Sequence, residues 1–250
     1  VLDNSIDEVV AGYAKNIFFH YAKDNSITIK DDGRGIPIDY HPKYKNKRAL
    51  EIVMTTLHAG GKFSDKVYKT SGGLHGVGIS VVNALSKKLE VKVYHKSKLY
   101  SQNYSKGNIK SKIKIQKCSK KLRGTEIKFF PDDEIFSHTN FSPKKLFNFI
   151  KMKSVLVKDT KISFKIDQEL IKDITPNKLD FYYPRGIIDF IKESFDNRKR
   201  IISRFFHSEI TFNTNEKCEI FIGFNEEEKS FLHSYCNTIE TPDGGSHENA

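Results

Sequence analysis

A glycine-rich run at residues 70–79 constrains the fold of this chain most, because it leads directly into an apolar stretch with helical periodicity, residues 80–85. Glycines let backbone N–H groups approach an anion closely, and the start of a helix adds about half a positive charge directed at that anion. This chemistry is typical of phosphate binding. The spacing matches neither a P-loop nor a Gly-x-Gly-x-x-Gly fingerprint, so the run alone leaves a nucleotide loop and a flexible hinge as equal alternatives.

A second motif, Asp31-Asp-Gly-Arg-Gly-Ile-Pro37, follows the alternating segment at residues 26–30. A strand that runs into Asp-x-Gly-x-Gly places a carboxylate beside backbone that no side chain obstructs. A buried carboxylate needs a donor, and the exocyclic amine of adenine is a suitable one. In isolation, the motif is more typical of a tight turn whose aspartate caps its own backbone.

The first residues of the chain have the pattern of an amphipathic helix. Apolar side chains fall on one helical stripe, at Leu2, Ile6, Val9, Val10 and Tyr13. Polar side chains share the opposite face, at Asn4, Asp7 and Glu8. An asparagine on a helix face is usually solvated, but beside the other two motifs the amide oxygen of Asn4 becomes a candidate metal ligand.

The order of these three motifs resembles that of the GHKL ATPase superfamily. A helix with Asn comes first, then a strand with Asp-x-Gly-x-Gly, and then a glycine-rich loop. Three further segments are similar to the B subunits of bacterial type IIA topoisomerases, namely residues 57–63, 71–86 and 241–247. Residues 41–47, followed by 49–56, resemble the topoisomerase IV (ParE) branch more than the gyrase B branch. The resemblance covers essentially the whole chain and is densest in residues 1–90.

The resemblance implies an α+β fold, a GHKL (Bergerat-type) α/β sandwich with a mixed, mainly antiparallel sheet. We expect this ATP-binding domain to occupy residues 1–185, truncated at its N-terminus. Residues 186–250 are expected to begin a transducer domain of the ribosomal S5 domain 2-like type. Periodicity predicts helices near 1–14, 49–58, 79–88, 144–156 and 187–195, and strands near 16–22, 26–31, 89–95, 98–104, 110–117, 124–130, 161–166, 201–212, 217–224 and 229–239.

The resemblance also assigns roles to residues that match the family motifs. Asn4 would coordinate Mg²⁺ bridging the ATP phosphates, and Arg34 would pair with Glu8. Asp31 would accept from the adenine amine, with Thr125 on the same water network. The walls of the adenine pocket would be Gly35, Ile36 and Pro37. The triphosphate would be wrapped by Gly73, Leu74, His75, Gly76, Val77, Gly78 and Ile79, with Lys62 nearby.

In this family the general base is a glutamate four residues before the metal-binding asparagine. That position falls immediately before Val1, so we expect no catalytic residue within the chain. The transducer lysine that contacts the γ-phosphate is expected beyond residue 250. Loss of a general base commonly costs on the order of 10²–10⁴-fold in rate. The polypeptide is therefore expected to bind ATP poorly and scarcely to hydrolyse it, whereas its parent protein would be an enzyme.

The implied function is ATP-driven DNA strand passage, in which ATP binding closes a self-dimer around a DNA segment. The implied partners are DNA and the ParC-like A subunit of topoisomerase IV, in an A2B2 heterotetramer. The alternatives are the B subunit of gyrase and a catalytically dead nucleotide-binding or dimerisation module. Other GHKL proteins, such as MutL-type repair proteins, heat-shock chaperones and histidine kinases, are disfavoured by His75 and by residues 241–247.

Composition agrees with this interpretation. The chain carries 42 basic and 31 acidic residues, a net charge of +11, which suits a polyanionic partner such as DNA and equally suits compositional drift. No apolar run approaches the ~18 residues of a membrane span. The opening residues show no basic, apolar leader, so we expect a cytoplasmic protein with no membrane contact. Its three cysteines, Cys118, Cys218 and Cys236, are expected to be reduced thiols.

A lysine-rich segment at residues 106–128 holds nine basic residues and one acid, Glu126. Alternation within residues 110–115 predicts lysines that point outward and isoleucines that point inward, as in a half-buried edge hairpin. A solvated face that resists aggregation is favoured over a DNA track, and the sequence does not decide between them.

Overall fold

The computed structural model describes residues 1–41, 44, 46–57, 76–195, 201–202, 204–213, 216–226, 230 and 232–250. Four of the predicted site residues, Lys62, Gly73, Leu74 and His75, lie outside these ranges.

The described residues form six α-helices, one short 3₁₀ helix (Gln168–Leu170) and thirteen strands. The helices are α1 (Leu2–Val10), α2 (Ala49–Thr55), α3 (Gly78–Ala84), α4 (Pro143–Val155), α5 (Ile187–Phe195) and α6 (Ser246–Asn249). The strands are β1 (Asn16–Tyr21), β2 (Ile27–Asp31), β3 (Ser86–His95), β4 (Lys98–Ser105), β5 (Asn108–Ile109), β6 (Lys114–Lys117), β7 (Gly124–Pro131), β8 (Lys161–Ile166), β9 (Lys178–Tyr182), β10 (Phe206–Thr211), β11 (Lys217–Ile222), β12 (Tyr235–Cys236) and β13 (Ile239–Glu240).

Nine of these strands make one sheet in the order β5-β4-β3-β7-β2-β1-β8-β9, with β6 also paired to β4. Only β1 and β8 run parallel among its described pairs, with Asn16 opposite Lys161. The sheet is therefore mixed and mainly antiparallel, as predicted. Two separate antiparallel pairs, β10–β11 and β12–β13, follow it in the chain.

Strands β1 and β2 bury alternate residues, and the buried face of the sheet packs against the helices. One apolar cluster lies beneath α1 and α4, and a second lies beneath α2 and α3. Phe129 on β7 packs against both clusters and joins them. Charged side chains occupy the other face, where Lys92 Nζ lies 3.0 Å from a Glu126 carboxylate oxygen. The result is a two-layer sandwich with a core between sheet and helices.

The first helix differs from its prediction in length and in the faces it presents. It ends at Val10 because the chain turns at Gly12, whose φ is +79°. Val10 and Tyr13 are 45% and 40% exposed, so both leave the predicted apolar stripe. Asp7, predicted on the polar face, is buried.

The sheet edges also differ from the prediction. Strand β9 was not predicted; it pairs with β8 and buries Phe181 alone, so it lacks a clear alternation.

In the lysine-rich segment, Ile113 packs against the second cluster, but the predicted inward position of Ile115 is wrong, since 49% of it is exposed. The reason is that β6 is an edge strand, hydrogen-bonded among the described strands only to β4.

No helix among the described residues is long and apolar enough to cross a membrane. Cys118, Cys218 and Cys236 are free thiols.

Candidate nucleotide-binding site

Asp31 ends β2 between its two neighbouring strands and is only 6% exposed. Its Oδ2 accepts a hydrogen bond from Ser5 Oγ at 3.0 Å. Its Oδ1 accepts from the backbone N–H groups of Gly33 at 3.0 Å and Thr125 at 3.3 Å. Burial raises the pKa of the Asp31 carboxyl, and the three hydrogen bonds offset only part of that rise. The site is thus a buried carboxylate whose two oxygens retain acceptor capacity.

Glycines allow the backbone to close around this carboxylate. Gly124 has a φ of +105°, and a Cβ there would lie 2.0 Å from the Asp31 carbonyl oxygen. Gly35 has a φ of +83°, and a Cβ there would lie 2.9 Å from a methyl carbon of Val93. The Asp-x-Gly-x-Gly motif therefore reflects both a left-handed backbone and close packing of β7 on the turn.

Thr125 joins the turn after β2 to β7. It is 8% exposed, and its Oγ1 accepts a hydrogen bond from the Ile36 N–H at 3.1 Å. Ile36 packs against the second apolar cluster, while Pro37 is exposed. Ile36, Thr125 and Asp31 are thus linked by consecutive hydrogen bonds.

Glu8 and Arg34 make the predicted ion pair. The guanidinium Nη2 lies 2.8 Å from Glu8 Oε1, while the Arg34 backbone N–H and Nε donate to Oε2 at 2.9 and 3.2 Å. The guanidinium carbon also lies 3.7 Å from the centre of the Tyr13 ring. This bidentate, stacked arrangement fixes the turn against α1.

Sequence reasoning missed Ser5 and Tyr13. A signal for Ser5 was available: it falls at the i+3 position from Leu2, on the buried stripe with Ile6, where a hydroxyl needs a partner. The role of Tyr13 follows from the turn at Gly12, which no helical periodicity would show.

Asn4 lies half-buried on α1, and within the described residues its side-chain amide has no hydrogen-bond partner. No group of three or more His, Cys, Asp or Glu side chains in the described chain could hold a metal ion by itself. Mg²⁺ is commonly held by one or two carboxylates together with substrate phosphates and waters; the amide oxygen of Asn4 is likewise an oxygen ligand, of the kind that hard cations take.

The described end of the glycine-rich run leads into α3. Gly76 has a φ of +61°, and Val77 precedes the helix without a side-chain cap. Among the described residues, nothing lies within 4 Å of where a Cβ on Gly78 would be. Ile79 is buried in the second cluster, against which Ile36 also packs. The end of the glycine-rich run and the turn after β2 therefore share one core, without a direct hydrogen bond among the described residues.

This sheet, covered by helices on one face, is the α+β sandwich of GHKL-type ATPases. Residues 1–135 match the family model described as histidine kinase-, DNA gyrase B-, and HSP90-like ATPase, and the chain belongs to this family. Residues 186–250 match a second family model, described as DNA gyrase B.

The chain is 49% identical over 251 residues to the B subunit of DNA topoisomerase 4 from Rickettsia felis, covering 99% of this chain and 38% of that protein. It therefore spans less than half the length of this relative. It is similar to the 43K ATPase domain of Thermus thermophilus gyrase B, solved with an aminocoumarin, with a TM-score of 0.79, 30% identity, and coverage of 98% and 60%. The topoisomerase IV ATP-binding domain of Francisella tularensis, solved with a small-molecule inhibitor, gives a TM-score of 0.75, 32% identity, and coverage of 96% and 61%.

Proposed function

We propose that this chain is the ATP-binding part of the B subunit of a bacterial type II DNA topoisomerase, of the topoisomerase IV kind. The observation that carries the proposal is the buried Asp31 carboxylate, which lacks a cation among the described ion pairs and keeps free acceptor capacity. Similarity to the B subunit of topoisomerase 4 and to solved gyrase B and topoisomerase IV ATP-binding domains supports it.

In this proposal Asp31 accepts a hydrogen bond from the adenine amine, and the hydroxyl of Thr125 donates into the same pocket. Gly35, Ile36 and Pro37 form its wall. Guanine presents a carbonyl oxygen instead of an amine, which would face the carboxylate as a second acceptor. The pocket therefore selects ATP over GTP.

The triphosphate lies against the glycine-rich loop, to which Gly76, Val77, Gly78 and Ile79 contribute backbone N–H groups; Lys62, Gly73, Leu74 and His75 complete this prediction. Asn4 is the residue that would hold Mg²⁺ through its amide oxygen. The ion would neutralise phosphate charge. The Arg34 guanidinium occupies both oxygens of Glu8, so we assign Glu8 a positioning role and not that of a general base.

We further propose that nucleotide binding drives dimer closure and DNA strand passage in the complete enzyme, together with a ParC-like partner. The ATP-binding unit would occupy residues 1–185 and the transducer unit would begin at 186. In support of this boundary, the large sheet ends at Tyr182 and α5 begins at Ile187. Lysine-rich residues 106–128 remain a candidate DNA surface, since most of their lysines are exposed.

Calorimetric titration of the complete protein with ATP and Mg²⁺ tests the nucleotide site, since the present chain alone is expected to bind ATP poorly. Asp31→Asn should weaken ATP binding by roughly ten- to a hundred-fold, because a charge-assisted hydrogen bond is worth ~1.5–3 kcal/mol. GTP affinity should not fall and should rise modestly, because the asparagine Nδ2 can donate to the guanine carbonyl that the carboxylate would repel. The matched control is Asp32→Asn, since Asp32 is its sequence neighbour and already accepts from Lys15 and Asn16. Equal ATP affinity in wild type and Asp31→Asn would contradict the proposal.

Gly78→Val tests the phosphate loop independently. Because no described atom lies within 4 Å of a Cβ at this position, valine should leave the melting temperature nearly unchanged while it blocks the approach of the phosphates. Normal ATP binding by this variant would identify the run as a structural hinge.

A further inference from the structure

Three lysines in and just after α4 contact residues that follow the large sheet in the sequence. Lys151 Nζ donates to Glu193 of α5 at 2.9 Å. Lys158, two residues after the helix cap, lies 3.0 Å from Glu209 on β10 and 3.2 Å from Glu219 on β11. The third, Lys153, differs from these two in its surroundings.

Lys153 is the most enclosed of the three, with a side chain only 9% exposed, against 26% for Lys151 and 40% for Lys158. Its Nζ lies 2.7 Å from Asp3 Oδ1 on α1 and donates to the Thr238 carbonyl, in the turn between β12 and β13, at 2.8 Å. The Phe149 ring covers the ammonium at 5.6 Å. One buried charge therefore contacts two segments that are far apart in sequence.

The α1 contact is an ion pair more than a directed hydrogen bond, because Asp3 Oδ1 makes no hydrogen bond within the described residues. The strength of this ion pair therefore depends on the distance between the Asp3 carboxylate and Lys153 Nζ. Asp3 directly precedes Asn4, the candidate metal ligand, so any shift of this helix end moves the partner of Lys153. A buried ammonium that loses its carboxylate is strongly destabilised, and its remaining contact with Thr238 changes with it.

We propose that Lys153 is a positioning residue that couples the nucleotide-site end of α1 to the β12–β13 hairpin. The link between α1 and the hairpin depends on geometry alone; its response to nucleotide rests on the proposed function. Lys151 and Lys158 hold their partners without contacting α1, so they join the two parts of the molecule without this coupling.

Hydrogen exchange of residues 234–241, followed by mass spectrometry, tests the link without nucleotide. Lys153→Met keeps the apolar stem and should speed exchange by at least about tenfold. Asp3→Asn should also speed exchange, and Lys153→Arg should restore much of the protection. The matched control, Lys151→Met, removes a paired lysine from the same helix and should leave this hairpin unchanged.

A double-mutant cycle separates coupling from a merely structural role. If Lys153 carries the link, Asp3→Asn should have no further effect on hairpin exchange in the Lys153→Met background. Additive effects of the two substitutions would overturn the inference, whatever the protein binds.

The response to nucleotide is tested in the complete protein with a non-hydrolysable ATP analogue and Mg²⁺, and binding is measured calorimetrically on the same samples. The analogue should change hairpin exchange in wild type and not in Lys153→Met. An analogue that binds wild type without changing the hairpin would overturn the coupling to nucleotide. Absence of binding to wild type would instead contradict the proposed function and leave the cycle as the test of the link.

Discussion

Asp31 and Asp32 are adjacent carboxylates at the end of β2, but their surroundings shift their pKa values in opposite directions. Asp32 accepts from the backbone N–H groups of Lys15 at 2.8 Å and Asn16 at 3.0 Å, and from Asn16 Nδ2 at 2.7 Å. Partial burial would raise the pKa of Asp32, but these donors outweigh it and lower the pKa below its ordinary value. For Asp31, deeper burial outweighs its three donors and raises the pKa.

This difference separates a structural carboxylate from one that is a candidate for ligand binding. Asp32 accepts hydrogen bonds from Lys15 and Asn16 at the start of β1. These donors compensate its charge, so ionisation of Asp32 stabilises the fold. Asp31 carries a charge that the fold alone does not fully compensate, so ionisation costs stability. A group kept in such a setting is typical of a ligand site, where the ligand supplies the missing partner.

Gly124→Ala should have the largest effect, because it breaks the packing on which the Asp31 side depends. The new Cβ would collide with the Asp31 carbonyl oxygen and force alanine to a φ of +105°. We expect a loss of more than about 4 kcal/mol in the free energy of unfolding, measured by urea denaturation. Gly78→Ala is the matched control and should lie within about 1 kcal/mol of wild type. Equal stability of both variants would show that β7 does not close on the β2 turn.

Asp32→Ala should have the second-largest effect on stability, because it leaves the three donors from Lys15 and Asn16 without their acceptor. We expect a loss of ~1–3 kcal/mol at pH 7 by denaturant titration. The lowered pKa gives a stabilising contribution that is complete above the ordinary value of 3.8 and is lost as the pH falls through the folded-state pKa. The difference between variant and wild type should therefore shrink in strong acid. A difference that grows on acidification would contradict the assigned sign.

Ser5→Ala should cost less, since it removes one hydrogen bond to Asp31 Oδ2. We expect a loss of about 1 kcal/mol in the free energy of unfolding. Without this donor the pKa of Asp31 should rise further, which NMR titration of the carboxyl carbon would measure. An unchanged pKa would show that Ser5 does not stabilise the ionised carboxylate.

Much of the architecture followed from the sequence because local pattern and final structure coincide there. Strand β8 and helix α5 were predicted at their observed bounds, 161–166 and 187–195, since both have strong periodicity. Strand β9 at the sheet edge and the end of α1 were not, because edge pairing and a left-handed turn at Gly12 leave little mark on hydrophobic pattern.

The candidate site was predicted through its motif residues, and its supporting contacts were not. The pair of Glu8 and Arg34 could be expected from the motifs, whereas the approach of Gly124 to Asp31 depends on how β7 registers against β2. The opposite settings of Asp31 and Asp32 likewise follow from tertiary neighbours at positions 5, 15–16 and 125. The alternation of β2 indicates that Asp31 shares the buried face of Ile27 and Ile29, but it does not show which donors each aspartate will meet.

Asp31→Asn should change stability least, and in the opposite direction from Asp32→Ala. Asparagine can keep the geometry: its Oδ1 accepts from the Gly33 and Thr125 N–H groups, and its Nδ2 donates to Ser5 Oγ, which can act as an acceptor. Since the raised pKa means that ionised Asp31 costs folding free energy, the variant should be as stable as wild type or slightly more stable at pH 7. As the pH falls through the folded-state pKa toward 3.8, wild-type Asp31 binds its proton and this advantage should vanish. Denaturant titrations of both proteins between pH 7 and pH 4 measure this trend. The opposite result would be a variant that is less stable than wild type at pH 7, with a difference that narrows in acid. That result would show that Asp31, like Asp32, is a structural carboxylate.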